Sequence, residues 1–293
     1  MKTIEELEGE MAMVELSDRL LDLPVAETTT WLVYGASKAG KTWFAGTAGD
    51  RTLYVYFSVG EGIETLKSPG FKEAVGANPI VKVVEETDEA FAYDRACDII
   101  DDYLKNRSDD FDTVVVDEAT AFRRHAMWKG LSINKEENRS KSLDKATRRG
   151  KDSRPIFLPT MADYGTEMNL TEWFVAQYTD ILKRAGKHFM ILAHERNVYK
   201  KDGTGPNAQE HLYKVRPGFT GKTLPDDIVA YFDNVIHMEK AGGGEQTVHR
   251  ARMQGDDVIV AGTRHAGVFK TLEKDPDFLK FIKRIKEKTN AKV

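Results

Sequence analysis

The chain has 293 residues and a formal net charge of −4, and 41% of its residues are hydrophobic and 31% charged. This composition is typical of a folded protein with a buried core, and no apolar run approaches the ~20 residues that a membrane-spanning helix needs. The single cysteine, Cys97, excludes an internal disulfide, and the seven scattered histidines form no cluster with zinc-ligand spacing. With an acidic, amphipathic N-terminus unlike a secretory signal, these features predict a protein of the reducing cytoplasm.

In chain order, a helical leader is predicted at 1–28, followed by a short buried strand at 31–34. Apolar and β-branched runs predict further strands at 51–59, 81–86, 111–120, 188–195, 232–240, 246–253 and 256–262. Helical spacing of apolar residues predicts helices from about Lys41 and at 90–106, 169–187 and 275–293. Because apolar strands alternate with helices, we expect an α/β fold with a mostly parallel central sheet flanked by helices.

The domain organisation follows from these elements. A core at 29–270 lies between the leader and a basic C-terminal helix at 271–293, and it carries an insertion at about 123–165 without clear periodicity. Residues 123–154 of this insertion contain 11 Lys/Arg against 4 Asp/Glu, a local charge of +7, so the remainder of the chain is −11. A basic block in an otherwise acidic protein suggests a polyanionic partner.

Residues 35–42, GASKAGKT, match the phosphate-loop pattern G-x-x-x-x-G-K-[ST] and follow the first strand. Gly35 and Gly40 allow a tight turn whose N–H groups approach phosphate oxygens, and the next helix adds its unpaired N-terminal N–H groups. Lys41 would reach the β- and γ-phosphates of ATP, and the Thr42 hydroxyl would bind Mg²⁺. The predicted nucleotide-binding residues are Gly35, Ala36, Ser37, Lys38, Ala39, Gly40, Lys41, Thr42 and Trp43.

An acid ends the strand VVVDE at 114–118, and Asp117 is the predicted second Mg²⁺ residue. ATP hydrolysis also needs a carboxylate that orients the attacking water, and Glu118 and Glu61 are both candidates. Gly35, Glu61, Asp117 and His194 each come just after a predicted strand. Since ligands of parallel sheets bind at the carboxyl ends of the strands, we expect one site to collect all four.

These motifs resemble those of RecA-like P-loop ATPases, in particular the phage Sak-type single-strand-annealing ATPases. In that family a D-x-E-x-G element supplies the water-activating glutamate; Glu61 and Gly62 match its later part, whereas Val59 replaces its first acid. ILAHE resembles the segment that ends in a γ-phosphate sensor, which implies that role for His194. PGFTGKTLPDDIVAYFDNVIHME and AGTRHAGVF resemble later family elements. They imply that Arg264, or alternatively Lys222, completes a neighbouring subunit's site as an arginine finger does.

The resemblance also implies DNA contacts through segments that follow the strands next to the nucleotide. Here these segments are 123–154 and 197–211, which combine basic residues with aromatic side chains. Basic groups neutralise phosphates and aromatic rings stack on unpaired bases, so binding to single-stranded DNA should not depend on its sequence. The candidate DNA-binding residues are Trp128, Arg148, Arg149, Lys151, Lys200 and Lys201.

The sequence therefore predicts an Mg²⁺-dependent ATPase that binds single-stranded DNA in phage recombination or annealing, in the host cytoplasm. A ring or filament of identical subunits is expected, and a single-strand-binding protein is a candidate partner. Two other functions stay open at this stage: a nucleotide-gated adaptor such as a helicase loader, and a small-molecule phosphotransferase whose lid would be the basic insertion.

Overall fold

The computed structural model describes residues 28–57, 62–87, 90–142, 158–203, 209–243 and 247–290. Five predicted features lie outside the described residues: nearly all of the N-terminal leader, the candidate base Glu61, and the basic residues Arg148, Arg149 and Lys151. No helix in the described part of the chain is long and apolar enough to cross a lipid bilayer.

The strands are β1 (Thr30–Gly35), β2 (Thr52–Phe57), β3 (Ile80–Val84), β4 (Thr113–Asp117), β5 (His188–Asp202), β6 (Gln209–Pro217), β7 (Asn234–Ala241), β8 (Val248–Arg252), β9 (Gly262–Thr263) and β10 (Leu272–Lys274). The α-helices are α1 (Lys41–Gly46), α2 (Gly62–Lys67), α3 (Pro69–Ala74), α4 (Ala92–Asn106), α5 (Ala119–Glu136), α6 (Met161–Arg184), α7 (Leu224–Asp227) and α8 (Phe278–Asn290).

The strands form a sheet in the order β10-β8-β7-β1-β5-β4-β2-β3, in which the six strands from β7 to β3 are parallel. The sheet is extended by β8, which pairs antiparallel with β7, and by β10, which pairs antiparallel with β8. The parallel register places Gly35 beside His194, and Asp117 beside Tyr56. The predicted α/β fold with a mostly parallel central sheet is confirmed, and the ends of β1, β4 and β5 meet at one edge.

Helices cover both faces of the sheet because the central strands carry apolar side chains in both directions. On one face, Phe122 of α5 and Phe174 of α6 pack together with a ring-centroid distance of 4.4 Å. On the other face, Trp31 of β1 packs between α1 and α8, with its ring centroid 5.5 Å from that of Phe278. The sheet is thus the middle of three layers, with a hydrophobic core on each side.

The basic C-terminal helix α8 is part of this second core. Phe278, Phe281, Ile282 and Ile285 are buried, as expected for an amphipathic helix whose apolar residues share one face. The backbone N–H of Phe278 also donates to Thr47 Oγ1 at 2.7 Å, just after α1. Helix α1, which follows the phosphate loop, is therefore packed against α8.

Three predicted boundaries differ from the structure. Part of the 123–165 insertion is helical, because α5 continues to Glu136 and α6 already begins at Met161. Its periodicity is hidden because α5 buries polar side chains such as His125 and Asn134 along with apolar ones. The strand predicted at 256–262 forms only an isolated bridge between Ile259 and Val215.

The third difference concerns β5, which was predicted to end at residue 195 and continues to Asp202. Beyond His194 it leaves the parallel sheet and pairs antiparallel with β6, forming a long hairpin. Most side chains of its outer half are exposed on both faces, so this half has no apolar pattern from which a strand could be predicted. Residues 197–202 and 209–211 therefore belong to the two paired strands of this hairpin.

Candidate nucleotide-binding site

A cavity of about 460 Å³ opens at the carboxyl ends of the parallel strands, within the size range of small-molecule sites. Residues of the phosphate loop form one wall, and residues from the ends of β4 and β5 form another. The lining residues are Ser37, Lys38, Gly40, Lys41, Thr42, Trp43, Gly62, Thr65, Asp117, Glu118, His194 and His249.

The two glycines of the phosphate loop are required by its close packing. A Cβ on Gly35 would collide with the carbonyl oxygen of Met238 on the neighbouring strand β7. Gly40 has φ 92°, a conformation that side-chain-bearing residues rarely adopt, and a Cβ there would lie 2.8 Å from His249 Nδ1. The loop therefore holds its shape through backbone positions that other residues could not occupy.

Lys41 lies inside this loop, with only 8% of its surface exposed. Its Nζ donates to the carbonyl oxygens of Gly35 at 3.0 Å and Ala36 at 2.8 Å. Burial lowers the pKa of Lys41, although Glu118 and Asp117 nearby favour its charged form. Two neutral carbonyl oxygens compensate the charge of a buried ammonium group poorly. An anionic phosphate would therefore be a better partner for Lys41 than the carbonyls of Gly35 and Ala36.

Thr42 and Asp117 form the pair that could hold Mg²⁺. Thr42 Oγ1 donates to Asp117 Oδ2 at 3.1 Å, and Asp117 is 5% exposed. Burial raises the pKa of this carboxyl group to about 6, and the charge of Glu118 adds to the effect. A cation beside these oxygens would favour the ionised carboxylate and so relieve that cost.

The space beside these two oxygens is kept open by Gly62 at the start of α2. A Cβ at this position would lie 3.0 Å from Asp117 Oδ2 and 3.1 Å from Thr42 Oγ1. No group of three or more metal-ligating His, Cys, Asp or Glu side chains exists among the described residues. The arrangement fits Mg²⁺, which typically takes one or two protein ligands and completes its shell with phosphate oxygens and water.

Glu118 and His194 face each other across the ends of β4 and β5. His194 Nε2 lies 2.6 Å from Glu118 Oε2, and their side chains are 41% and 19% exposed. Both line the same cavity as Lys41 and Asp117. The structure thus brings together two of the residues predicted to act on the γ-phosphate or on water.

The two candidate finger residues do not line this cavity. Arg264 follows β9, which pairs with the beginning of β7, and its side chain contacts Asp233 Oδ1 at 3.2 Å. It therefore lies at the amino ends of the parallel strands, opposite its own phosphate loop. Lys222 is exposed near α7, and its carbonyl oxygen accepts a hydrogen bond from Arg216.

The described DNA-binding candidates lie on two elements. Trp128 lies on α5 and is partly exposed. Lys200 and Lys201 lie on the outer half of β5, and Lys201 pairs with Glu210 at 3.3 Å. Lys200 Nζ lies 5.4 Å from the ring centroid of Tyr213 on β6.

His249 is a cavity residue that the sequence did not indicate. It lies on β8, more than 200 positions after the phosphate loop, and its Nδ1 is 3.0 Å from the carbonyl oxygen of Ala39. No motif surrounds it, and only the pairing of β8 with β7 brings it to the site. Thr65, on α2, likewise lines the cavity without having been predicted.

Solved structures that are similar to the chain include the following two. A KaiC-like protein, PH0186, from Pyrococcus horikoshii OT3 aligns with a TM-score of 0.41 and 12% identity, over 84% of this chain and 83% of that one. The flagellar accessory protein FlaH from Methanocaldococcus jannaschii aligns with a TM-score of 0.39 and 10% identity, over 87% of each chain. No curated protein has a matching sequence.

The model of the family described as AAA domain matches residues 27–265, which contain β1 to β9 and every residue that lines the cavity. In the sheet, β5 lies between the phosphate-loop strand β1 and β4, the strand that ends in Asp117. The chain belongs to the AAA domain family.

Proposed function

We propose that the chain binds and hydrolyses ATP with Mg²⁺, binds single-stranded DNA, and acts in phage DNA recombination or annealing. The observation that carries the nucleotide part is the convergence of Lys41, the Thr42–Asp117 pair and the Glu118–His194 pair on one cavity. The hairpin that extends directly from His194 supports the DNA part.

In the proposed reaction, Lys41 moves from its loop carbonyls to the β- and γ-phosphates and stabilises the charge that develops on them. Thr42 and Asp117 hold Mg²⁺, which neutralises phosphate charge when bound. His194 is positioned to donate to a γ-phosphate oxygen once its contact with Glu118 is exchanged. The side chains in these roles all line the same cavity.

Either Glu61 or Glu118 orients the attacking water. Glu118 lines the cavity, but its carboxylate contacts His194. Glu61 immediately precedes Gly62, whose backbone abuts Asp117 and Thr42. Together with the resemblance of Glu61 to the family glutamate, this position of Gly62 favours Glu61 in our proposal.

The hairpin of β5 and β6 offers a surface suited to single strands. Tyr199 and Tyr213 are 58% and 51% exposed, and Lys200 and Lys201 follow Tyr199 further out along β5. Exposed aromatic rings next to lysines combine stacking on bases with attraction to phosphates. Each phosphate that a lysine neutralises should contribute about −0.7 to the slope of log K against log salt concentration.

The test is ATP turnover and DNA binding, with and without single-stranded DNA, over a salt series. We expect DNA to bind at low salt, and Lys200→Ala/Lys201→Ala to flatten the salt dependence by about 1 to 1.5 units. Tyr199→Ala should weaken binding with little change in slope, because stacking is not ionic. The matched control is Lys280→Ala/Lys283→Ala on α8, which removes two lysines that are 78% and 77% exposed.

Two results would redirect the proposal. ATP binding without turnover under any DNA condition would favour the adaptor function. Turnover that responds to a small-molecule acceptor, with no DNA binding at low salt, would favour the phosphotransferase.

We also propose that Arg264 acts on the site of a neighbouring subunit. It lies at the amino ends of the strands, and β1 alone spans about 16 Å at ~3.3 Å per residue, so it cannot reach its own phosphate loop. Its side chain is 60% exposed despite the contact with Asp233, so a neighbour could approach it. In a mixture of Arg264→Ala and Glu61→Gln proteins, activity should partly recover; a confirmed oligomer without recovery at any ratio would point to Lys222 instead.

A further inference from the structure

We propose that His249 binds the nucleoside half of ATP, accepting a hydrogen bond through Nε2 from a ribose hydroxyl or from the adenine amino group. This inference rests on the proposed nucleotide site and adds to it a residue from outside the sequence motifs. It assigns one end of the cavity to the sugar and base.

The position of His249 is fixed by both its backbone and its ring. In the pairing of β8 with β7, His249 lies opposite Lys240. The backbone carbonyl oxygen of His249 accepts a hydrogen bond from the N–H of Asp275 at 2.9 Å. Its ring packs so closely on the phosphate loop that a Cβ on Gly40 would lie 2.8 Å from Nδ1 and 3.0 Å from Cγ. A side chain held on two sides in this way is preorganised for a ligand.

The hydrogen bond to the loop defines which nitrogen carries the proton. Nδ1 lies 3.0 Å from the Ala39 carbonyl oxygen, and a carbonyl can only accept, so Nδ1 must be the donor. In the neutral ring, Nε2 is then an acceptor. Phosphate oxygens of ATP offer no proton to an acceptor, whereas the ribose hydroxyls and the adenine amino group do.

The order of the strands gives the direction of the nucleotide. Asp117, Glu118 and His194 lie at or just after the parallel parts of β4 and β5, to one side of the loop that follows β1. Because these residues mark the γ-phosphate and Mg²⁺ end, the nucleoside end points to the other side of β1. β7 and β8 lie on that side, and His249 is the cavity-lining residue that they contribute.

Calorimetric titration of the full chain with Mg·ATP and with Mg·tripolyphosphate tests the assignment. The asparagine amide in His249→Asn reaches the position of Nδ1 and can still donate to Ala39, but nothing replaces Nε2. We expect this variant to bind ATP about fivefold more weakly, as for the loss of one hydrogen bond, and tripolyphosphate as well as the wild type does. His265→Ala, a histidine at the opposite end of the sheet, is the control and should bind both ligands normally.

Three outcomes would overturn the inference. Wild-type ATP affinity in His249→Asn would show that the ring only supports the loop. Equal losses for ATP and tripolyphosphate would show that it contacts phosphate or shapes the loop for phosphate. Unchanged ATP affinity in His249→Ala would remove it from the site altogether.

Failure of the nucleotide site itself gives a different result. If the phosphate loop does not bind ATP, the wild type and Lys41→Ala will show equally weak affinity for both ligands. If it does, Lys41→Ala loses both ligands, while His249→Asn loses only the nucleoside contribution.

Discussion

Two buried aspartates at opposite ends of the parallel sheet have opposite electrostatic environments. Asp117, at the carboxyl end, is 5% exposed, and burial raises its pKa to about 6. Asp233, at the amino end, is 6% exposed. Burial opposes its ionisation too, but hydrogen bonds from Thr30 and Lys183 hold its pKa below the usual value.

The difference lies in the number of donors. Asp233 accepts from the N–H of Thr30 at 3.0 Å and from its hydroxyl at 3.2 Å, and it contacts Lys183 and Arg264 at 3.1 and 3.2 Å. Among the described residues, Thr42 is the one hydrogen-bond donor to Asp117. A carboxylate that is fully hydrogen-bonded stabilises the fold, whereas one left short of donors is available for a cation. Stability and ligand binding therefore depend on opposite ends of the sheet.

The largest expected effect is that of Lys41→Ala, at the carboxyl end. Turnover should fall by about a thousandfold, because the phosphates lose their principal buried cation. The midpoint of thermal unfolding should change little, since the carbonyls of Gly35 and Ala36 can be hydrated from the cavity. Turnover assays and calorimetry of the same preparation measure both. Normal hydrolysis by a well-folded variant would disprove the site.

Asp233→Asn and Asp117→Asn make the same chemical change at the two ends. The first should lower the free energy of unfolding by about 3 kcal/mol, because Lys183 and Thr30 lose a buried charged partner. The second should not destabilise the Mg²⁺-free protein, because it removes a carboxylate whose ionisation burial disfavours. Urea unfolding at pH 7 compares the pair. Equal losses of stability in the two variants would contradict the conclusion that Asp233 stabilises the fold and Asp117 does not.

Glu61→Gln and Glu118→Gln sharpen the assignment within the carboxyl end. We expect Glu61→Gln to reduce turnover about a hundredfold and Glu118→Gln to reduce it less, with ATP binding kept in both. Single-turnover hydrolysis separates the chemical step from binding. The reverse ranking would make Glu118 the water-orienting residue.

The smallest effect is the pH dependence from His188, at the amino end. Burial lowers the pKa of His188 to about 4, and its Nδ1 accepts from the N–H of Thr29. The unfolded chain takes up a proton near pH 6.5 and the folded chain near 4, so stability falls as the pH drops through this window. The loss between pH 7 and pH 5 should be about 2 kcal/mol. In His188→Asn, urea unfolding should show a correspondingly shallower decline, whereas an unchanged decline would assign the effect to other groups.

The sequence predicted the parts of the site that are local. The phosphate loop is contiguous, and Asp117 ends an apolar strand, so a short pattern was sufficient for both. His249 required knowledge that β8 pairs with β7, and no short pattern encodes a pairing between distant segments. The helical character of 123–136 was missed because α5 buries polar residues, and the outer half of β5 was missed because its side chains are exposed on both faces.

The continuity of β5 has a mechanical consequence. The strand extends from His194, at the cavity, to Asp202, eight residues further out and about 27 Å away at ~3.4 Å per residue, and its register with β6 shifts once, between Val198 and Tyr199. If this arm turned as one piece, its length would amplify a small rotation at its base. If the base at His194 turned by about 5°, the outer end would travel by about 2 Å, more than half the rise per residue of an extended strand. The length of this arm thus sets how far its outer end, at Asp202, would move for a given rotation at His194.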